Sequence, residues 1–205
     1  MTLDPAGRPR VFLVRHGETE WNAIDRLLSF TDMPLNERGR AQAVALGAAL
    51  AADGIAFDRV LCSPRLRATE TADLILAALP TAPPVELDER LTEVDFGPLE
   101  GWTNHEIMAD DAARAWRLGG EYPGVETDAD VVARARAVWA DLPLSGTTLV
   151  VAHGRFMRVM LATCILELPL AVSTRMRMRN CRPAIVEPGP EPLLLAFNAG
   201  LPLRT

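Results

Sequence analysis

With 205 residues, 49% of them hydrophobic and 23% charged, the chain has the balance of a soluble globular protein with a sizeable core, and its size favours one domain over two. A net charge of −6 argues against general nucleic-acid binding, which depends on neutralising phosphates, and no apolar run approaches membrane-spanning length. Cys62, Cys164 and Cys181 are odd in number, widely spaced and without a CxxC pair, which fits neither a disulfide framework nor a zinc site and points to a reducing compartment.

The opening MTLDPAGRPR lacks the apolar stretch of a secretory signal, so a cytoplasmic protein is expected. Residues 11–14 (VFLV) predict a short buried strand running into Arg15-His16-Gly17. A cation, an imidazole and a glycine then stand where an α/β sheet opens its binding crevice, and Gly17 is expected to bring the backbone close to a ligand. Residues 23–35 read as a turn-rich loop. Asn36 predicts an N-cap, with Glu37 in the first turn of an Ala-rich helix reaching about Ala52. Residues 59–62 predict a second strand. Ser63-Pro64 reads as N-cap and first position of a helix to about Leu79, stopped by Pro80, Pro83 and Pro84.

Residues 85–87 predict a third strand, and residues 88–126 are the least regular part, with one short helix and a turn at Tyr122-Pro123-Gly124. Thr127 with Asp130 resembles a capping box, using the shorter acid, for a helix to about Ala140. Residues 147–152 (TTLVVA) form the clearest buried strand, ending at His153-Gly154 and passing into the helical pattern RFMRVMLATCIL. Two more strands are expected near 183–187 and 193–197. Alternation of strands with helices predicts an α/β fold: a three-layer α/β/α sandwich, in one domain over residues 1–205, whose mostly parallel sheet carries helices on both faces. Three strand ends are chemically loaded: Arg15-His16, Ser63 with Arg65 and Arg67, and His153-Gly154. In a doubly wound sheet they converge on one crevice.

Two histidines, several arginines and a carboxylate permit a limited chemistry. A neutral imidazole can attack phosphorus, and phosphoryl transfer needs positioning and charge stabilisation more than covalent help. All 21 basic residues are arginine, so every cationic contact is a planar guanidinium suited to phosphate or carboxylate. Metal ligation is the rival role for His16 and His153. Neither sits in an HExxH or HxH pattern, and an adjacent arginine would repel a cation.

LVRHGETEWN (13–22) resembles the signature of the histidine phosphatase superfamily, the branch also called phosphoglycerate mutase-like. PLNERG (34–39), CSPRLRATETA (62–72), LTEVDFGPLEG (91–101) and VVAHGRFMRVML (150–161) follow in that family's order, and the resemblance covers roughly residues 10–165. It implies that His16 is the nucleophile that becomes phosphohistidine. By the same resemblance Arg15, Arg67 and His153 hold the transferred phosphoryl group, and Glu93 is the general acid and then base. Asn22, Thr19 and the Gly154 amide match supporting positions, and no metal or organic cofactor is implied.

Four departures stand out: Arg65 for an apolar residue, Ser29 for Gly, Arg155 for a small residue, and PGVE (Val125) for PGGE. Arg155 and Ser29 are therefore expected to shape the substrate pocket, with specificity held by residues 23–33 and a lid-like segment over about 102–126. Trp21, Trp102 and Tyr122 either line the entrance or pack in the core. The alternation Arg175-Met176-Arg177-Met178-Arg179 reads as an amphipathic edge strand guarded by charge, or as a site for an anionic partner.

The expected function is a metal-independent phosphatase acting on a small phosphomonoester. The expected partners exclude nucleic acid and membrane, and admit a homodimer. A mutase is the alternative within enzymes, and a catalytically silent phospholigand-binding module, which could lose His16 or Glu93, is the alternative outside them.

Overall fold

The computed structural model describes residues 8–201. Six strands form one sheet in the order β3-β2-β4-β1-β5-β6, where β1 is Arg10–Arg15, β2 Arg59–Cys62, β3 Val85–Leu87, β4 Thr147–Ala152, β5 Ala184–Glu187 and β6 Leu193–Ala196. The first four are mutually parallel, and β5 and β6 add antiparallel to the β1 edge. This is the mostly parallel, helix-covered sheet that the alternation of elements predicts.

Side chains alternate cleanly across it, as strand geometry requires. Phe12, Val14, Val60, Cys62, Leu149 and Val151 point to one face and pack under α2 (Glu37–Ala52) and α3 (Leu66–Leu76). Val11, Leu13, Leu61, Val150 and Ala152 point to the other, under α6 (Asp128–Ala140) and α7 (Gly154–Met160). Both faces being covered, the strands read as continuous apolar runs.

Caps set the helix starts. The Asn36 side chain accepts from the Gly39 amide, as expected, and Thr127 accepts from the Asp130 amide. The reciprocal half of the capping box is not made at Thr127. Its hydroxyl donates instead to the Asp130 carboxylate at 2.7 Å, because the shorter acid stops short of the backbone. Ser63-Pro64 does not start α3. That helix begins at Leu66 after Arg65, and the Ser63 hydroxyl turns to His153 instead. The expected helix after β4 continues from α7 through a wider π turn over Leu161–Ile165.

The segment read as one short helix holds two, α4 (Asn104–Ala109) and α5 (Asp111–Arg117), beside a four-residue turn α1 (Glu20–Ala23) that the sequence did not announce. Ile107, Ala113 and Trp116 bury these helices against the α6–α7 layer, and Trp102 and Tyr122 pack there too. Residues 170–182 contain no edge strand: a 3-10 turn over Leu170–Arg175 leads into irregular chain, with Met178 buried and Arg177 and Arg179 outside. Among the described residues no helix is long and apolar enough to cross a membrane.

Candidate active site

Strands β1 and β4 are adjacent and parallel, yet the helices that follow them, α2 and α7, pack on opposite faces of the sheet. That is the switch point where a doubly wound sheet opens a crevice. His16 and His153 stand side by side at these two strand ends, their rings 5.2 Å apart.

The backbone of His16 is fixed from several directions. Its amide donates to Ala152, and its carbonyl accepts from the Asn180 side chain at 2.8 Å. The next amide, Gly17, donates to the Thr71 hydroxyl at 2.9 Å, and that hydroxyl donates to the Arg67 carbonyl. A Cβ on Gly17 would lie 2.6 Å from the Gly39 carbonyl oxygen, and one on Gly39 would lie 2.1 Å from the Glu18 carbonyl oxygen. Gly17 is therefore required by the close approach of α2.

The His16 ring is buried, and its Nδ1 lies 2.7 Å from the Gly17 carbonyl oxygen. A carbonyl can only accept, so Nδ1 carries the proton. Burial, with Arg67 and Arg15 nearby, pushes the His16 pKa well below the ordinary imidazole value. The ring is thus neutral and Nε2 keeps its lone pair, the state a nucleophilic imidazole needs. His153 is equally buried and pushed down by burial and the same arginines, with His16 adding to the effect. Its Nε2 lies 2.7 Å from the Ser63 hydroxyl, and its Nδ1 has no partner.

Arg67 is fully buried. Its guanidinium donates to the Ser29 carbonyl at 2.8 Å and the Thr31 carbonyl at 3.2 Å, and burial brings its pKa down to about 10. Arg15 donates to the Met178 carbonyl, and its flank packs against Gly154, where a Cβ would lie 3.1 Å from Nε. The Nε atoms of both arginines and Nδ1 of His153 are buried without a hydrogen-bond partner, which is costly unless a ligand uses them.

Glu93 comes to the same place. Its carboxylate accepts from the Val94 amide and from the first-turn amides of α7, Arg155 at 3.1 Å and Phe156 at 2.9 Å. Arg134 in α6 supports this segment by donating to the Thr92 carbonyl at 2.7 Å and gripping Glu126 with two nitrogens.

Of the sequence-derived site residues, Arg15, His16, Asn22, Glu93, Gly154 and Arg155 line one cavity of about 830 Å³, and Arg67 and His153 lie buried beneath it. Thr19 and Ser29 do not reach it. Thr19 is buried as the N-cap of α1, in a reciprocal box with Asn22. Ser29 is buried with its carbonyl on Arg67 and its amide on Glu100, so it positions an arginine instead of shaping the pocket. Arg155 extends over the Trp116 ring, 4.8 Å from its centroid, and donates to Asp128.

The two expected specificity segments are joined: the Leu27 amide donates to Trp102, and the Gly101 amide donates to Leu27. Sequence reading missed Thr71, Glu100, Arg134, Arg158 and Asn180. Of these only Arg158 carried a usable signal, three residues after Arg155 on the same helix face.

A family model described as histidine phosphatase superfamily (branch 1) matches residues 11–197. The chain is 34% identical over 184 residues to a Salmonella paratyphi A protein described as "probable phosphoglycerate mutase GpmB", covering 84% of this chain and 81% of that one. Among solved structures it is similar to the mycobacterial glucosyl-3-phosphoglycerate phosphatase Rv2419c, with a TM-score of 0.78 and 30% identity over 94% of this chain and 100% of that one. It is also similar to the phosphoserine phosphatase of Entamoeba histolytica solved with 3-phosphoglyceric acid, with a TM-score of 0.80 and 25% identity over 96% and 100% of the two chains. The chain therefore belongs to the histidine phosphatase superfamily, branch 1.

Proposed function

We propose that the chain is a metal-independent phosphatase that hydrolyses a small phosphomonoester through a phosphohistidine on His16. The observation that carries this reading is the neutral His16 ring, with Nδ1 tied to a carbonyl and Nε2 bare, beside three buried nitrogens that lack acceptors. A phosphoryl group supplies oxygens for those nitrogens, and its charge is matched by Arg15 and Arg67.

Nε2 of His16 attacks phosphorus as the P–O bond to the leaving group breaks. Glu93 delivers a proton to the departing oxygen. Glu93 then takes a proton from water, whose oxygen attacks phosphorus and breaks the P–N bond, releasing inorganic phosphate and restoring His16. Arg15, Arg67 and His153 carry the charge of the equatorial oxygens through both displacements. The phosphatases among its structural relatives support hydrolysis. The mutase description of the Salmonella relative favours a second reading, in which the phosphoryl group returns to another oxygen of the substrate.

The test is turnover of p-nitrophenyl phosphate and a panel of phosphorylated metabolites in EDTA, beside His16→Ala, with acid-labile phosphoprotein trapped by rapid quench. EDTA-resistant phosphate release and a trapped phosphoryl group, both lost in the variant, are expected. Phosphoryl exchange without free phosphate would establish the mutase. Phosphate binding without any turnover would identify a silent module.

A further inference from the structure

Glu93 sits on chain without regular structure: residues 92–96, between 3-10 turns over Glu89–Leu91 and Gly97–Leu99, belong to no helix or strand. Packing alone does not fix it, because Glu93 also lines a second cavity of about 490 Å³ with Phe30, Thr92, Asp95, Glu126 and Arg134. Hydrogen bonds therefore set its place, and they come from two helices.

From α7 come the Arg155 amide, on Glu93 Oε2, and the Phe156 amide, on Oε1. From α6 comes Arg134, which holds the chain on either side of Glu93. Its Nη1 donates to the carbonyls of Arg90 at 2.8 Å and Thr92 at 2.7 Å. Its Nε and Nη2 grip the Glu126 carboxylate at 3.0 and 2.8 Å. Glu126 in turn pins Asp95, whose amide donates to that carboxylate while its carbonyl accepts from the Glu126 amide. The guanidinium also lies 4.6 Å above the ring of Phe156, the residue whose amide holds Glu93. All three nitrogens of Arg134 thus tie the acid's loop together beside the helix whose N-cap is His153. The Arg134 and Glu126 side chains are each 17% exposed, so losing either leaves the other charge poorly solvated and unpaired. Lysine is no substitute, because a single ammonium cannot span a carboxylate and two carbonyls as the planar fork does.

We propose that Arg134, backed by Glu126, is the positioning residue of the general acid. It sets where the Glu93 carboxyl stands relative to the phosphoryl pocket, and so governs the proton-dependent part of the reaction without touching substrate. This rests on the phosphatase reading for the role of Glu93. Oε1 already accepts from two amides, Val94 and Phe156, whereas Oε2 accepts from one, so Oε2 carries the proton. The leaving oxygen takes that proton along with the electron pair of the breaking P–O bond, as Nε2 of His16 bonds to phosphorus. Oε2 regains a proton from the water that then attacks.

The test reads the leaving group. 2,4-Dinitrophenyl phosphate releases a phenolate that needs no proton, and phenyl phosphate releases one that does. Because kcat/KM reports formation of the phosphohistidine, the ratio of the two values measures help from the acid. Glu93→Gln should raise that ratio by about a hundredfold, and Arg134→Gln and Arg134→Lys each by about tenfold or more. General damage to the fold lowers both values alike and cancels. Amide hydrogen exchange gives a reading that needs no turnover. The Phe156 amide lies in the first turn of α7 and depends on Glu93 for its acceptor, so it should exchange about tenfold faster in the Arg134 variants. The Met157 amide, bonded to the His153 carbonyl, should keep its rate. A ratio that rises in Glu93→Gln but is unchanged in both Arg134 variants would overturn the proposal and leave the phosphatase reading standing. A ratio unmoved by Glu93→Gln would overturn the acid assignment and the proposal with it. If neither ester is turned over, the phosphatase reading fails and exchange decides: faster Phe156 exchange keeps Arg134 as the residue that places Glu93, and unchanged exchange overturns that role too.

Discussion

Gly39 offers a test in which local and tertiary effects have opposite signs. It lies in the first turn of α2 with ordinary helical backbone, so helix propensity alone predicts that Gly39→Ala stabilises the protein by about 1 kcal/mol. The added Cβ would stand 2.1 Å from the Glu18 carbonyl oxygen, 2.6 Å from its amide nitrogen and 2.9 Å from its carbonyl carbon. All three obstacles are backbone, and residue 18 follows the His16-Gly17 turn, so no side-chain rotation relieves them. Overpacking typically costs 1–3 kcal/mol, and a rigid obstacle belongs at about 3 kcal/mol or beyond. The net expectation is a loss of about 2 kcal/mol, or a drop in Tm of roughly 4–8 °C for a chain of this size.

The displaced residues adjoin His16, so kcat should fall as well, by about tenfold or more. Gly17→Ala opens the same gap from the other side, with its Cβ 2.6 Å from the Gly39 carbonyl oxygen. The double variant should therefore cost less than the two single losses combined. Urea denaturation with turnover of an aryl phosphate measures all three. A Gly39→Ala protein more stable than wild type, with unchanged kcat, would refute the close-approach account and leave helix propensity in charge.

Other consequences are open to simpler assays. Burial depresses both His16 and His153, so the folded chain binds fewer protons than the unfolded one below about pH 6.5; stability holds above that pH and falls by roughly 1.4 kcal/mol per pH unit per histidine below it. Urea midpoints between pH 7.5 and 5.5 should show this slope, and His16→Ala should remove about half of it. Burial alone would raise Glu100, but the Thr31 and Ser29 amides that it accepts from, at 2.8 and 2.9 Å, bring it below its usual value and hold the loop whose carbonyls receive Arg67. Glu100→Ala should lower kcat/KM by about tenfold and cost 1–3 kcal/mol in denaturation, with Glu100→Gln intermediate in both. Burial pushes the Cys62 and Cys181 thiols up to about 12 and raises Cys164 less, so a disulfide reagent at neutral pH should meet no fast-reacting thiol until the chain unfolds.

The chemically loaded strand ends were legible because each follows an apolar run: RVFLVR before His16, RVLC before Ser63 and TTLVVA before His153. A polar residue directly after a buried strand has one place to go in a parallel sheet, and that place is shared by all the strands. Positions whose role depends on distant backbone were not legible in this way. Thr71 reads as one helix residue among many until its hydroxyl is found under the Gly17 amide, and Asn180 until its side chain reaches the His16 carbonyl. The glycine at 17 was visible, but its reason lies 22 residues on, in the backbone of α2.

Charge shows the same limit more sharply. The excess of 27 acidic over 21 basic residues is a property of the chain as a whole, and on that average it argues against a broad polyanion-binding face. It does not describe a concave site, because the fold sorts the signs: acids pair with arginines away from the crevice, as Glu187 with Arg10, Glu86 with Arg59 and Glu126 with Arg134, while the crevice gathers nine arginines against three carboxylates. Low-dielectric walls focus the field of the arginines that line such a cavity, so the local potential there departs from the average of the chain. The average charge and the local charge thus carry separate information. Only the second depends on the fold, because it is set by which arginines the strand ends and α7 bring to one crevice.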